Sequence, residues 1–165
     1  MSRLPKTAFA AAAAAAAGAS LAACSTPGIP QRAVLGSTLT GYQAVPGPGD
    51  LDGTGTARLR VDSEAARICW EVNARGIDPA TAAHVHRGAA GSAGPPVVPL
   101  SIPDSTGRSE GCSAVAGALA AEMIAQPHLF YVNVHNAAFP ASAIRGQLRG
   151  LARRPESRAA PPVRR

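Results

Sequence analysis

Residues 130–135 read FYVNVH, and this stretch decides the fold class because apolar and polar side chains alternate along it. Val132 and Val134 fall on one side of the alternation, and Asn133 and His135 fall on the other. Successive side chains of a β-strand point to opposite faces. The stretch therefore predicts a strand whose valines face a core and whose polar side chains face outward or into a pocket.

The same two-residue period recurs along most of the chain. Turn residues, mainly Gly, Pro and Asp, separate the alternating segments. Many short alternating strands are typical of an antiparallel sandwich or barrel, so the sequence predicts an all-β fold. Residues 113–126 (SAVAGALAAEMIAQ) lack the alternation and stop at Pro127, which predicts one short helix. The further predicted strands are residues 38–42, 54–61, 67–73, 83–87 and 144–148.

The charge distribution argues against nucleic-acid binding. The 165 residues carry 16 Lys and Arg against 10 Asp and Glu, for a net charge of +6. Residues 24–150 are neutral, with nine Arg and nine acidic residues, so the excess sits at the two ends. Nucleic-acid binding by a domain depends on a basic face, which the body of this chain lacks.

The amino terminus reads as an export signal. Residues 1–23 combine Arg3 and Lys6 with an alanine-rich apolar run that is too short for a stable membrane span. Leu21 to Cys24 (LAAC) resembles the lipobox of bacterial lipoproteins, which implies a lipidated Cys24. With Ser25 next, the resemblance favours the outer membrane, facing the periplasm. The alternative is ordinary cleavage after Ala23 without lipidation.

Three further segments follow the signal peptide. Residues 24–38 are predicted to be a tether, residues 39–149 the folded domain, and residues 150–165 a disordered tail. The tail is rich in Arg and Pro, and it acts either as a solubilising segment or as a contact to anionic lipids or envelope polymers. The expected binding partner is a protein or another envelope component of unknown identity.

The remaining cysteines favour a disulfide. Assigning Cys24 to lipid leaves Cys69 and Cys112, an even pair in an oxidising compartment. Aromatic residues make up only 4% of the chain, which predicts a core with few large side chains. A covalent link would add to the stability of such a fold. The alternative is two buried free thiols.

Histidines supply the candidate site. His84 and His86 share one face of a predicted strand, and His135 lies on the polar face of another. If the two strands are neighbours, three imidazoles converge, and imidazole suits copper, zinc, iron and nickel. The alternative is that these histidines only hydrogen-bond neighbouring turns.

Five segments of the chain form an ordered set of motifs: residues 39–46 (LTGYQAVP), 82–91 (AAHVHRGAAG), 94–98 (GPPVV), 131–140 (YVNVHNAAFP) and 143–148 (AIRGQL). This set resembles the motifs of the CHRD domain, the module named from chordin, except that Ala44 stands where an acid is usual. The resemblance covers about residues 39–149, and the positions of Cys69 and Cys112 suit the bacterial members. It implies a binding or structural module, because the chordin repeats belong to a protein that antagonises a signalling ligand.

A weaker likeness links the chain to copper,zinc superoxide dismutase, a Greek-key β-sandwich. It implies that His84, His86 and His135 are copper ligands and that Arg145 guides an anion. Arg87 is another residue that could attract an anion, and His128 is a doubtful fourth ligand. Because the bridging and zinc ligands of that enzyme have no counterpart, the likeness implies a copper-only site at most.

The function hypotheses are therefore two. The first is a lipid-anchored CHRD module that serves in binding or structure and has no established activity, and the second is a copper-binding protein or a weak copper-only enzyme that handles superoxide. The sequence shows no G-x-S-x-G motif and no paired-carboxylate motif, so hydrolase chemistry has no support.

Overall fold

A computed structural model describes residues 30–151 of the chain. The signal peptide, Cys24 and residues 152–165 of the predicted tail lie outside the described residues. Within them no helix is long and apolar enough to cross a membrane. The elements are β1 (Arg32–Thr40), β2 (Thr54–Asp62), β3 (Arg67–Arg75), β4 (Ala80–Arg87), β5 (Pro96–Pro99), β6 (Arg108–Ala114), α1 (Gly117–Ala125), β7 (Phe130–Asn136), β8 (Ile144–Gln147) and β9 (Arg149–Gly150).

The strands form one antiparallel sheet in the order β5-β4-β7-β8-β1-β2-β3-β6, with β9 paired to β1. β4 pairs with β7, and β3 pairs with β6, so both pairings skip the strands between them in sequence, as Greek-key connections do. Side-chain hydrogen bonds of Ser101 and Ser109 join the segment after β5 to β6. The sheet thus nearly closes on itself, and the predicted all-β Greek-key fold with one short helix is confirmed.

The core lies inside this curled sheet. Val85 of β4 and both Val132 and Val134 of β7 are fully buried, as the alternation predicts. The helix α1 adds Ala120 and Met123 to the same cluster. Since these residues occupy the inward positions, every second residue of β4 and β7 must face the other side of the sheet.

A disulfide joins β3 to the edge strand β6. Cys69 and Cys112 are directly opposite each other in the β3–β6 ladder, with Cα atoms 4.0 Å apart. The predicted pairing is therefore present. The neighbouring Trp70 is buried and donates a hydrogen bond to Ser109 (3.2 Å), so the bridge lies on the outer face and the indole lies inside.

Several predicted boundaries are wrong. The strand predicted over residues 38–42 ends at Thr40, because Gly41–Gln43 form a 3₁₀ turn. The helix begins at Gly117, because Ser113 belongs to β6 and pairs with Ile68 of β3. The tether does not extend to residue 38, since β1 begins at Arg32 and pairs with β2 along its whole length. The tail does not begin at residue 150, because Gly150 pairs with β1.

Candidate metal centre

The three predicted histidines converge on the outer face of the β4–β7 ladder. His84 lies opposite Asn133, and His135 lies opposite Ala82, so the rings of His84 and His135 are diagonal neighbours. One nitrogen of each imidazole, including that of His86, lies within 4.8 Å of the other two. Nitrogen ligands of a metal ion at about 2.0–2.1 Å lie roughly 3 Å apart. Small ring rotations would therefore let the group hold a metal ion.

Backbone carbonyls fix the tautomers of two of these rings. His86 Nδ1 donates to the Gly94 carbonyl at 2.9 Å, and His135 Nδ1 donates to the Pro140 carbonyl at 3.0 Å. A carbonyl only accepts, so the proton of each neutral ring is on Nδ1 and the lone pair is on Nε2. His86 Nε2 is buried and has no hydrogen-bond partner among residues 30–151. This is the arrangement that commonly orients metal-binding histidines.

His84 directs Nδ1, rather than Nε2, toward the other histidines of the group. This Nδ1 lies 3.4 Å from His135 Nε2. Because His135 Nε2 carries a lone pair, His84 Nδ1 donates the proton of this hydrogen bond. Metal binding would require the proton of His84 to move to Nε2, and this ring is only partly buried, so solvent can exchange the proton.

The surroundings of His84 and His86 favour the neutral form of both rings. Burial lowers the pKa of His84 below its usual 6.5, and the charges of His135 and His86 lower it further. Burial also lowers the pKa of His86, against the hydrogen bond to Gly94, and the charges of His135 and Arg145 act in the same direction as burial. Neutral imidazole is the form that binds metal ions.

Arg145 lies beside the group as a buried cation. Its side chain is 2% exposed, and its guanidinium carbon lies 3.5 Å from the centre of the Tyr131 ring. Nη2 donates to the Ala89 carbonyl at 2.9 Å, whereas Nη1 has no hydrogen-bond partner in the described part of the chain. None of the ion pairs within residues 30–151 involves Arg145. Burial accordingly lowers the pKa of this guanidinium from its usual value.

Tyr131 and Gln147, which the sequence pattern did not indicate as site residues, hold the loops over the group. Tyr131 stacks on His86 with ring centres 4.9 Å apart, and its hydroxyl contacts Gly94. Gln147 donates to the Gly88 carbonyl at 2.8 Å. The alternation along residues 130–135 predicts that Tyr131 lies on the same face as His135. It does not predict which loops Tyr131 and Gln147 contact.

Two residues considered for the site lie apart from it. His128 is exposed in a short 3₁₀ turn before β7, and it does not belong to the three-histidine group. Arg87 forms an ion pair with Glu122 and lies over the Phe130 ring, 5.0 Å from its centre. Arg87 therefore already has an acidic partner, whereas Arg145 has none among residues 30–151.

Comparison with known proteins agrees with the motifs. No curated protein and no solved structure matches the chain. The family model of the CHRD domain matches residues 35–148, which include β2 to β8 and all three histidines of the group. The chain belongs to the CHRD domain family.

Proposed function

We propose that the chain is an envelope-anchored binding module whose CHRD domain holds one copper ion at His84, His86 and His135. The observation that carries the proposal is the convergence of three imidazole nitrogens within 4.8 Å. The carbonyls of Gly94 and Pro140 support it, because they leave Nε2 of two rings available as donors.

Copper is the ion that this donor set favours. Three neutral imidazoles leave at least one coordination position open, and imidazole donors suit Cu(II). The Irving–Williams order places Cu(II) above the other divalent first-row ions for a given nitrogen site. The ligand type adds to this affinity, because the described group holds imidazole donors only and no carboxylate or thiolate.

The first test is a copper titration of untagged protein. Cu(II) should bind with one ion per chain and give an electron paramagnetic signal with nitrogen hyperfine structure. The His84→Ala/His86→Ala variant should lose this binding, whereas His128→Ala should keep it because His128 lies outside the group. Equal weak binding by the wild type and the double variant would leave the CHRD domain as a binding or structural module without a metal.

Arg145 favours a second candidate function, the handling of a small anion such as superoxide at the bound copper. A buried cation without a carboxylate partner attracts an anion. The guanidinium also lies close enough to influence the charge of His86.

The test of this candidate compares Arg145→Lys with the wild type, because lysine keeps the charge but not the planar fork. Azide should perturb the copper signal of the wild type at lower concentration than that of the variant. Superoxide dismutation by the copper-loaded wild type should exceed that of the copper-loaded variant and of free copper–histidine complexes. Failure of both comparisons would exclude anion handling while leaving copper binding intact.

The proposal places the module at the bacterial envelope. The LAAC sequence at residues 21–24 supports lipidation of Cys24, and the Cys69–Cys112 bond suits an oxidising compartment. The outer membrane, facing the periplasm, is the proposed location, with the basic residues of the tail as a further contact to an envelope partner. The neutral charge of residues 24–150 supports a partner other than nucleic acid.

A further inference from the structure

We propose that Tyr131 and Asn133 are positioning residues of the metal site, each of which holds the loop whose carbonyl orients one histidine. The inference rests on the proposed metal-binding function and extends it to residues that do not themselves offer metal donors. Tyr131 and Asn133 alternate with buried valines on β7, on the same face as His135. One face of one strand thus carries both a donor and the two residues that orient donors.

Asn133 acts on His135 through the loop between β7 and β8. Its Nδ2 donates to the Ala141 carbonyl at 3.1 Å, and its Oδ1 accepts a hydrogen bond from Ser142 Oγ at 2.6 Å. Ala141 and Ser142 directly follow Pro140, whose carbonyl receives the Nδ1 proton of His135. Asn133 and Ser142 are both buried, so their hydrogen bonds are shielded from competing water.

Tyr131 acts on His86 through the loop between β4 and β5. Its hydroxyl accepts a hydrogen bond from Gly94 N at 3.1 Å and lies 3.3 Å from Gly94 O. The same carbonyl receives the Nδ1 proton of His86 at 2.9 Å. The Tyr131 ring also stacks on the His86 ring, with an angle of 16° between the planes. The hydroxyl and the ring therefore restrain both ends of the His86–Gly94 hydrogen bond.

These contacts preorganise the donor nitrogens of His86 and His135 for a metal ion. A ring held by its Nδ1 proton needs no further ordering before Nε2 binds, which reduces the entropy lost on binding. Loss of such outer contacts commonly weakens metal binding by about 10–100-fold. Since neither Tyr131 nor Asn133 belongs to the donor group, their substitution should weaken the site without removing a ligand.

The test uses full-length protein and three single variants. Tyr131→Phe removes only the hydroxyl and keeps the stacked ring, Ser142→Ala removes the hydroxyl that fixes Asn133, and Asn133→Ala removes the anchor itself. Ser109→Ala is the matched control, because Ser109, like Ser142, is a buried serine whose hydroxyl donates a hydrogen bond (2.6 Å to the Ser101 carbonyl), but it lies on β6. The quantities measured are the Cu(II) dissociation constant, the copper hyperfine splitting and the melting temperature of the metal-free protein.

Each site variant should raise the Cu(II) dissociation constant by about 10-fold or more and broaden the hyperfine lines. Ser109→Ala should leave both unchanged even if it lowers the melting temperature. If Ser142→Ala and Tyr131→Phe remain folded and bind copper as tightly as the wild type, the positioning role is refuted. If the wild type binds no copper, the proposed function itself fails, so the two failures are distinct.

Discussion

At the scale of single residues, the histidine group makes the folded state sensitive to acid. The pKa values of His84 and His86 are both lowered from 6.5 in the folded protein. Below about pH 6.5 the unfolded chain therefore takes up protons that the folded chain does not. The folded state loses stability as the pH falls, and the same protons compete with a bound metal ion.

We expect the free energy of unfolding to be constant between pH 8 and about pH 7 and to decrease from about pH 6.5 downward. Asp62 and Asp104 also have lowered pKa values, but they start from 3.8 and act only in stronger acid. Urea unfolding at several pH values measures the decrease. The His84→Ala/His86→Ala variant should show a flatter profile between pH 7 and pH 5, and an unchanged profile would contradict the assignment.

The sequence was sufficient to predict the histidine donors, but not the groups that surround them. Alternation along the chain predicts that His84 and His86 share a face, because the direction of a side chain in a strand depends only on its position. The carbonyls of Gly94 and Pro140 could not be predicted, because they belong to loops whose path depends on the whole fold. The buried state of Arg145 has the same origin, since the Ala89 carbonyl and Tyr131 reach it from other parts of the chain.

At the scale of elements, β6 is a strand that the sequence pattern did not predict. Residues 113–114 continue into an alanine-rich run, so local propensity favours helix, yet both residues pair with β3. β5 was also not predicted, because Pro96 and Pro99 argue against a strand. Its place at the end of the strand order explains the exception, since an edge strand has a side on which no donor is needed.

The disulfide ties the edge strand β6 to β3, so its removal should be costly. Cys69 and Cys112 are separated by 43 residues, and closing a loop of that length restricts the unfolded chain. We expect the Cys69→Ser/Cys112→Ser variant to lose about 3–4 kcal/mol of unfolding free energy. Chemical denaturation measures this loss, and reduced wild-type protein is the control that should unfold like the variant. Quantitative alkylation of both thiols in unreduced wild type would contradict the prediction.

At the scale of the whole molecule, the neutral body and the basic ends suggest different tasks. Residues 24–150 carry no net charge, whereas the excess of Arg and Lys lies in the terminal segments outside the domain. The folded part thus has no net charge that would draw it to an anionic surface. Attachment to the envelope would depend on Cys24.

Cys24→Ser should move the mature protein from the membrane fraction to the soluble fraction, because the proposed anchor is covalent. Cell fractionation followed by immunodetection measures the change, and metabolic labelling with a fatty acid should mark the wild type only. Cys69→Ser serves as the matched cysteine variant and should stay in the membrane fraction. Equal membrane association of Cys24→Ser and wild type would contradict lipidation.

The strict alternation of β7 also restricts how this protein can evolve. Val132 and Val134 face the core, while Asn133 and His135 face the site, so both sets depend on one reading frame of the strand. Loss of a single codon in the middle of β7 would exchange the two faces for part of the strand. The valines would then lie outside, and polar groups would enter the core. A lineage can therefore abandon the histidine site by point substitution, but not by deleting one residue from the middle of β7, without losing the domain as well.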